Sequence, residues 1–260
     1  MRPVARTGEA GHREIDELRA VLADAGDAVR RAFDGVPSAD RRRLGERPGQ
    51  YYIDLVADEA MCDVLHRAGL RVLSEESGTT GPDDGSGILV VADPIDGSTN
   101  ASLGIPWFAT SLCVLDAEGM LLSLVVNHPH RTTYEARRGG GATRDGRPIE
   151  PSVCASLPSA VVAVSGLPRA RPGWAQFRAL GAASLDICAV AEGVLDAYAV
   201  VGTSALWPWD YLGALHVCRE VGASVGERDD QELVVRQALR RRPVVAATRG
   251  LLDALARDVR

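Results

Sequence analysis

Apolar residues recur along the chain with two different periods, and their succession predicts its elements. From about Glu14 to Phe33, Ile15, Leu18, Leu22 and Val29 fall along one face at helical spacing. Leu55, Met61, Val64 and Leu65 do the same between Tyr51 and about Arg67, after a polar, arginine-rich loop. Leu70 to Leu73 reads as a short strand that stops at Ser74-Glu75-Glu76-Ser77-Gly78, and Ile88 to Ala92 is the next strand, after the turn-rich GPDDGSG. Phe108 to Leu115, Leu121 to Asn127 and Tyr134 to Arg137 read as successive antiparallel strands. Asp116 to Gly119 joins the first two, and Asp145-Gly146 is a hairpin turn at the end of the meander. The character changes after Pro151. Strands are predicted at Ala160 to Val164, Val194 to Val201 and Val244 to Ala247, and helices at Trp174 to Leu180, Ser184 to Glu192, Asp210 to Val221 and Leu251 to Val259. The pattern is an α+β half, residues 1–150, followed by an α/β half, residues 151–260.

Composition narrows the functions more than the fold. The 260 residues suffice for a substantial core. A formal net charge of −6, with arginine clusters confined to Arg41–Arg43 and Arg240–Arg242, argues against generic nucleic-acid binding. No apolar run approaches membrane-spanning length, and MRPVARTGEAGHREIDEL lacks the apolar core of a signal peptide, so a soluble, cytoplasmic protein is expected. Cys62, Cys113, Cys154, Cys188 and Cys218 are scattered and form no CxxC pair, which points to free thiols rather than zinc or disulfides.

Chemistry concentrates in the acids. In VVADPIDGSTN a buried strand ends in Asp93 and Asp96, two like charges that repel unless a cation lies between them. Glu75-Glu76 closes the preceding strand, Asp210 opens a helix in WPWDYLGA, and Asp58 sits within a helix in DLVADEA. Strand ends converge on one rim of a sheet. Acids gathered there without histidine or cysteine suit hard cations such as Mg²⁺. Gly97-Ser98-Thr99 follows where a helix would begin, and its backbone N–H groups would hold a phosphate oxygen against the metal. Taken singly, these segments read as a turn, a solvated pair, a helix cap and a surface acid. Their joint presence in this order carries the inference. His128 and His130 in NHPH resemble a metal pair, but at a strand end around proline they read as surface or turn residues.

The ordered set D…EE…DP[IL]DG[ST]…WD resembles the inositol monophosphatase family of Mg²⁺-dependent, lithium-sensitive phosphatases. The resemblance runs from roughly Ile15 to Thr248, through SEESG (74–78), DPIDGST (93–99) and WDYLGA (209–214), with DLVADEA and YEARRGGGATRDG between and upstream. It implies a layered αβαβα sandwich of the inositol monophosphatase/fructose-1,6-bisphosphatase type, usually a homodimer. It also implies two or three Mg²⁺ ions. Glu75, Asp93 and the Ile95 carbonyl would hold one and Asp93, Asp96 and Asp210 a second, with Glu75 also reaching a weaker third. Asp58 and Ser98 would orient the attacking water, and the Gly97 and Ser98 amides would meet the phosphate.

Departures from the family pattern concern the substrate. Ala101 stands where an aromatic residue is usual and Leu212 where a small one is, and no acid lies between Asp196 and Asp210 to bind ring hydroxyls. Trp207 and Trp209 are candidates to wall the pocket, as is the Ser165 to Arg171 loop. The implied activity is hydrolysis of a small polyol, sugar or amino-alcohol phosphate. Histidinol-phosphate phosphatase, fructose-1,6-bisphosphatase and 3′-phosphonucleotide phosphatase remain open, as does a role as an interaction partner without turnover.

Overall fold

A computed structural model describes residues 9–45, 47, 49–168 and 173–259, with side chains from Glu14 onward. Residues 1–8 of the N-terminal stretch and residues 169–171 of the Ser165 to Arg171 loop therefore lie outside the described residues. In chain order the elements are α1 (Glu9–Gly35), α2 (Tyr52–Arg67), β1 (Val72–Ser74), β2 (Gly78–Thr80), β3 (Leu89–Asp96), α3 (Ser98–Leu103), β4 (Ala109–Asp116), β5 (Gly119–Asn127), β6 (Thr132–Arg137), β7 (Gly141–Arg144) and β8 (Arg147–Pro148). They continue with β9 (Val161–Ser165), β10 (Gln176–Arg178), α4 (Ala183–Ala191), β11 (Ala197–Val200), α5 (Pro208–Glu220), β12 (Ser224–Glu227), β13 (Pro243–Ala246) and α6 (Arg249–Asp258).

The strands form two sheets, ordered β2-β1-β3-β4-β5-β6-β7-β8 and β10-β9-β11-β13-β12. Side-chain alternation along each strand distributes them among three cores. Val90, Ala92, Leu112 and Val114 pack against Leu22 and Val29 of α1 and Ile53, Met61 and Leu65 of α2. Leu89, Val91, Cys113 and Leu115 face the other way, into a central core with α4, α5 and the inner face of the second sheet at Tyr198 and Val245. Val162, Val164, Ala199 and Val244 form an outer core with Leu251, Leu252 and Leu255 of α6. The layers are therefore α, β, α, β, α. Over Leu89 to Ala92 strand β3 is apolar along both faces because both are covered, and every residue of the strand is buried. Each such Val or Leu contributes about 1.5–3 kcal/mol on burial. The two sheets part between Pro148 and Val161, while α4 and α5 pack between them as one shared layer. Among the described residues, no helix is long and apolar enough to cross a membrane. The five cysteines are unpaired, four of them buried.

The hairpin turn forms as its residues dictate, with Asp145 and Gly146 at φ of 51° and 75°, the left-handed pair that a two-residue connection needs. Other segments depart from expectation. The helix predicted over Trp174 to Leu180 is instead the edge strand β10, parallel to β9 with Gln176 opposite Val161. Phe177 is half exposed there, so no apolar face exists to hold a helix, whereas β9 offers an open edge. The short strands β2 and β12 were not predicted from the sequence; each adds antiparallel to a neighbour's free edge. His128 occupies a turn as expected but is buried, with its ring 6.0 Å from that of Phe108.

Candidate metal centre

The carboxyl end of β3 is where the cleft forms. Its pairing with β4 shifts register between Asp93 and Asp96, across Pro94, which has no N–H to keep the ladder regular. The irregularity lets both aspartates line one cavity of about 380 Å³ together with Glu75, Ile95, Gly97, Ser98, Thr99 and Asp210. Gly97 precedes α3 with φ of 86°, and a Cβ there would meet Gly181 O at 3.0 Å and Trp107 O at 3.2 Å. Only glycine fits this turn. Among the described residues no side chain caps α3, so its first N–H groups remain available at the cleft.

Two helices present an aspartate by the same device. Asp210 is the third residue of α5, and its Oδ2 accepts the Trp207 N–H at 2.8 Å. Asp54 is the third residue of α2, and its Oδ2 accepts the Tyr51 N–H at 2.8 Å. Each bond pins one carboxylate oxygen to the helix start; Asp210 lines the cleft, and Asp54 Oδ1 is buried without a partner among the described residues. Oxygens of Glu75, Asp93 and Asp210 lie within 4.8 Å of one another. Asp93 is 2% exposed and its Oδ1 has no partner among the described residues.

Burial, and then the neighbouring acids, hold these carboxyls well above their usual range. Glu75 is pushed up to about 7 by desolvation, followed by the charges of Glu76 and Asp96. Asp93 and Asp210 are raised strongly by desolvation and then Glu75. Asp96 rises to about 6 through burial, opposed by bonds from α4: the Ala183 and Ser184 amides donate at 3.2 and 2.7 Å, and the Ser184 hydroxyl adds a third. No lysine, arginine or histidine lines the cavity among the described residues. An all-oxygen donor set, an orphaned buried carboxylate oxygen and uncompensated negative charge together fit a hard divalent cation such as Mg²⁺.

The structure thus brings Glu75, Asp93, Ile95, Asp96, Gly97, Ser98 and Asp210 to one cleft. It does not bring Asp58 there. Asp58 Oδ1 accepts from the buried Ser74 hydroxyl and from Cys62 Sγ at 3.6 Å, one helical turn along α2 from the rim. The residue of α2 that neighbours Ser98 is Asp54, which the sequence reading missed; burial, then Glu76 and Glu75, raise its pKa to about 7. A signal for it exists in the sequence, since Tyr51-Tyr-Ile-Asp54 repeats the aromatic-x-x-Asp spacing of Trp207-Pro-Trp-Asp210. Trp209 is likewise corrected. It is 6% exposed, stacks on Trp207 with centroids 5.6 Å apart, and belongs to the central core rather than to the cleft lining. Glu76 turns away to Arg47 and Gln50.

A layered sandwich with an acidic, oxygen-only cleft at the sheet's rim defines a class, and comparison with known proteins agrees with it. The inositol monophosphatase family model matches residues 13–260, and the chain belongs to that family. It is 32% identical over 193 residues to a fructose-1,6-bisphosphatase/inositol-1-monophosphatase of Thermococcus kodakarensis, covering 71% of this chain and 72% of the relative. It is 31% identical over 225 residues to an inositol-1-monophosphatase of Mesorhizobium japonicum, covering 79% and 82%. In fold it matches a hypothetical Pyrococcus horikoshii protein with similarities to inositol-1 monophosphatase. The TM-score is 0.80 at 23% identity, covering 97% of this chain and all of the other.

Proposed function

We propose that the chain is a Mg²⁺-dependent phosphomonoesterase acting on small polyol, sugar or amino-alcohol phosphates, with water as the nucleophile. The observation that carries this reading is the convergence of Glu75, Asp93 and Asp210 within 4.8 Å, beside the uncapped start of α3. Glu75, Asp93 and the Ile95 carbonyl would hold one ion, and Asp93, Asp96 and Asp210 another. Bound there, Mg²⁺ would offset the carboxylate charge, draw phosphate oxygens inward and make water more acidic.

The remaining steps belong to the chain's own residues. Asp54, its Oδ2 fixed by Tyr51, keeps Oδ1 free to orient a water with the Ser98 hydroxyl and to take its proton. The water oxygen bonds to phosphorus as the ester P–O bond breaks, and the departing alkoxide takes a proton from bulk water to leave as the alcohol. The Gly97 and Ser98 N–H groups share the charge that grows on the phosphoryl oxygens. The leaving group faces Val164, Ser165, Gly166, Ala179, Ala183 and Leu206, a wall without a carboxylate.

An apolar wall discriminates weakly, whereas a site built to bond a hydroxyl rejects analogues lacking it. Phosphate release should be measured with and without Mg²⁺ on myo-inositol 1-phosphate, glycerol 2-phosphate, fructose 1,6-bisphosphate, histidinol phosphate and a 3′-phosphonucleotide. Mg²⁺-dependent release is expected, with inositol phosphate favoured over glycerol 2-phosphate by at most about tenfold in kcat/KM. Absence of Mg²⁺-dependent release would overturn the activity. A hundredfold preference, on the order that hydrogen-bond readout supplies, would overturn only the reading of the wall.

A further inference from the structure

The wall that faces the leaving group carries one hydroxyl, on Ser165. Ser165 is the last residue of β9, and the alternation of that strand decides where its side chain goes. Val162 and Val164 pack outward into the core formed with α6, while Ala163 belongs to the central core between the sheets. Ser165 follows Ala163 by two residues and so shares its face. The backbone here is fixed. The Ser165 carbonyl accepts the Val201 N–H at 2.9 Å. Gly166 follows at φ of 103°, where a Cβ would meet Val201 O at 2.5 Å. Glycine is what lets β9 close onto the end of β11 at this point.

Tyr198 decides how the Ser165 hydroxyl is used. On β11 Tyr198 stands opposite Ala163 and Val200 opposite Ser165, so Tyr198 and Ser165 are diagonal neighbours on one face of the sheet. Tyr198 is fully buried, and its phenol donates to Ser165 Oγ at 2.7 Å. Ser165 Oγ makes no other hydrogen bond among the described residues. A serine hydroxyl has one proton and two lone pairs. The phenol occupies one lone pair, which leaves the serine proton uncommitted on the face that lines the cleft. Accepting one hydrogen bond also makes the hydroxyl a stronger donor of its own proton. The rest of the wall, Val164, Gly166, Ala179, Ala183 and Leu206, brings no side-chain acceptor to take it.

We propose that Ser165 is a specificity-determining residue: its hydroxyl, oriented by Tyr198, bonds to a hydroxyl oxygen of the leaving group. The cleft then favours phosphate esters of polyols and sugars over those of plain alkyl alcohols. Ser165 supplies a hydroxyl contact on a wall where no acid lies between Asp196 and Asp210 to do so. Tyr198 is a positioning residue that acts through Ser165. The role rests on the phosphomonoesterase reading, and it amounts to one neutral hydrogen bond, so the discrimination it gives is modest.

The test compares glycerol 2-phosphate with propan-2-yl phosphate, the same branched ester without hydroxyls, at saturating Mg²⁺. The two leaving groups differ in acidity, so the quantity read is the change in their kcat/KM ratio on mutation. Ser165→Ala should lower the ratio of glycerol 2-phosphate over propan-2-yl phosphate by about three- to tenfold, the worth of one neutral hydrogen bond. Ser165→Thr, which keeps the hydroxyl, should restore the ratio. Tyr198→Phe leaves the Ser165 hydroxyl free to turn and should lower the ratio by about two- to threefold. A merely structural role would slow both esters alike and leave their ratio in place. An unchanged ratio in Ser165→Ala, with both esters still hydrolysed, would overturn the contact while the activity stands. A ratio lowered by Ser165→Ala but untouched by Tyr198→Phe would overturn the orienting role of Tyr198. Absence of Mg²⁺-dependent release from either ester would overturn the activity itself, and this role with it.

Discussion

Replacing Asp93 by asparagine should stabilise the metal-free protein while abolishing its response to Mg²⁺. Asp93 lies with Glu75 and Asp210 in a cluster whose oxygens are within 4.8 Å of one another. At an effective dielectric constant of about 20, two unit charges at that distance repel by about 3 kcal/mol. Part of this is already relieved by protonation, since Glu75 titrates near 7. The recoverable stabilisation is therefore about 1–3 kcal/mol, or a rise of roughly 2–6 °C in Tm for a chain of this size. Asparagine preserves the shape of the site, so no cavity opposes the gain. Thermal unfolding in EDTA and in MgCl₂ reads both effects, and phosphate release reads the catalytic loss, expected to be several orders of magnitude. A variant that melts below wild type in EDTA would refute the electrostatic reasoning. Retention of the Mg²⁺-induced stabilisation, or of more than about a tenth of turnover, would refute the assignment of Asp93 to the metals.

Asp54→Asn should reduce turnover by about 10²–10³ without lowering Tm, because asparagine keeps an acceptor for the Tyr51 N–H and removes a carboxylate that burial and Glu76 disfavour. Asp58→Ala should do the reverse, preserving turnover but costing about 1–3 kcal/mol by stranding the buried Ser74 hydroxyl; the opposite ranking would return the water-orienting role to Asp58. In EDTA, Glu75 and Asp54 have folded pKa values near 7, above their unfolded values. The folded state then binds the extra protons, so Tm measured between pH 6.5 and 8 should fall as pH rises. Excess Mg²⁺ should flatten that slope, and a slope unaffected by metal would count against the cluster as its source. Trp209→Ala should cost about 3–5 kcal/mol in denaturant unfolding and leave the ranking of substrates unchanged, since the ring is buried in the central core. An altered ranking would put the ring back in the pocket.

Much of the architecture was legible because its signals are local. Continuous apolar runs marked β3, β4 and β5, helical spacing marked α1 and α2, and Asp145-Gly146 specified its own turn. The order of the acids was equally legible, because proline, glycine and apolar strand residues around Asp93, Asp96 and Asp210 fix where each carboxylate lies along its own element. What tertiary structure decided is which of two plausible side chains arrives. Asp54 and Asp58 lie on one face of α2 a single turn, about 5.4 Å, apart. Only the docking of α2 against β1 decides that the first reaches Ser98 and the second meets Ser74. Trp209 and Asp210 are adjacent, yet successive helix residues point about 100° apart. With Asp210 turned to the cleft, Trp209 is carried into the core. Strand β10 has no periodic signal of its own; it is a strand because β9 has an edge to offer. Likewise, nothing local in the sequence joins Tyr198 to Ser165. They come from separate strands, and only the parallel pairing of β11 with β9 sets the phenol beside the hydroxyl at the cleft.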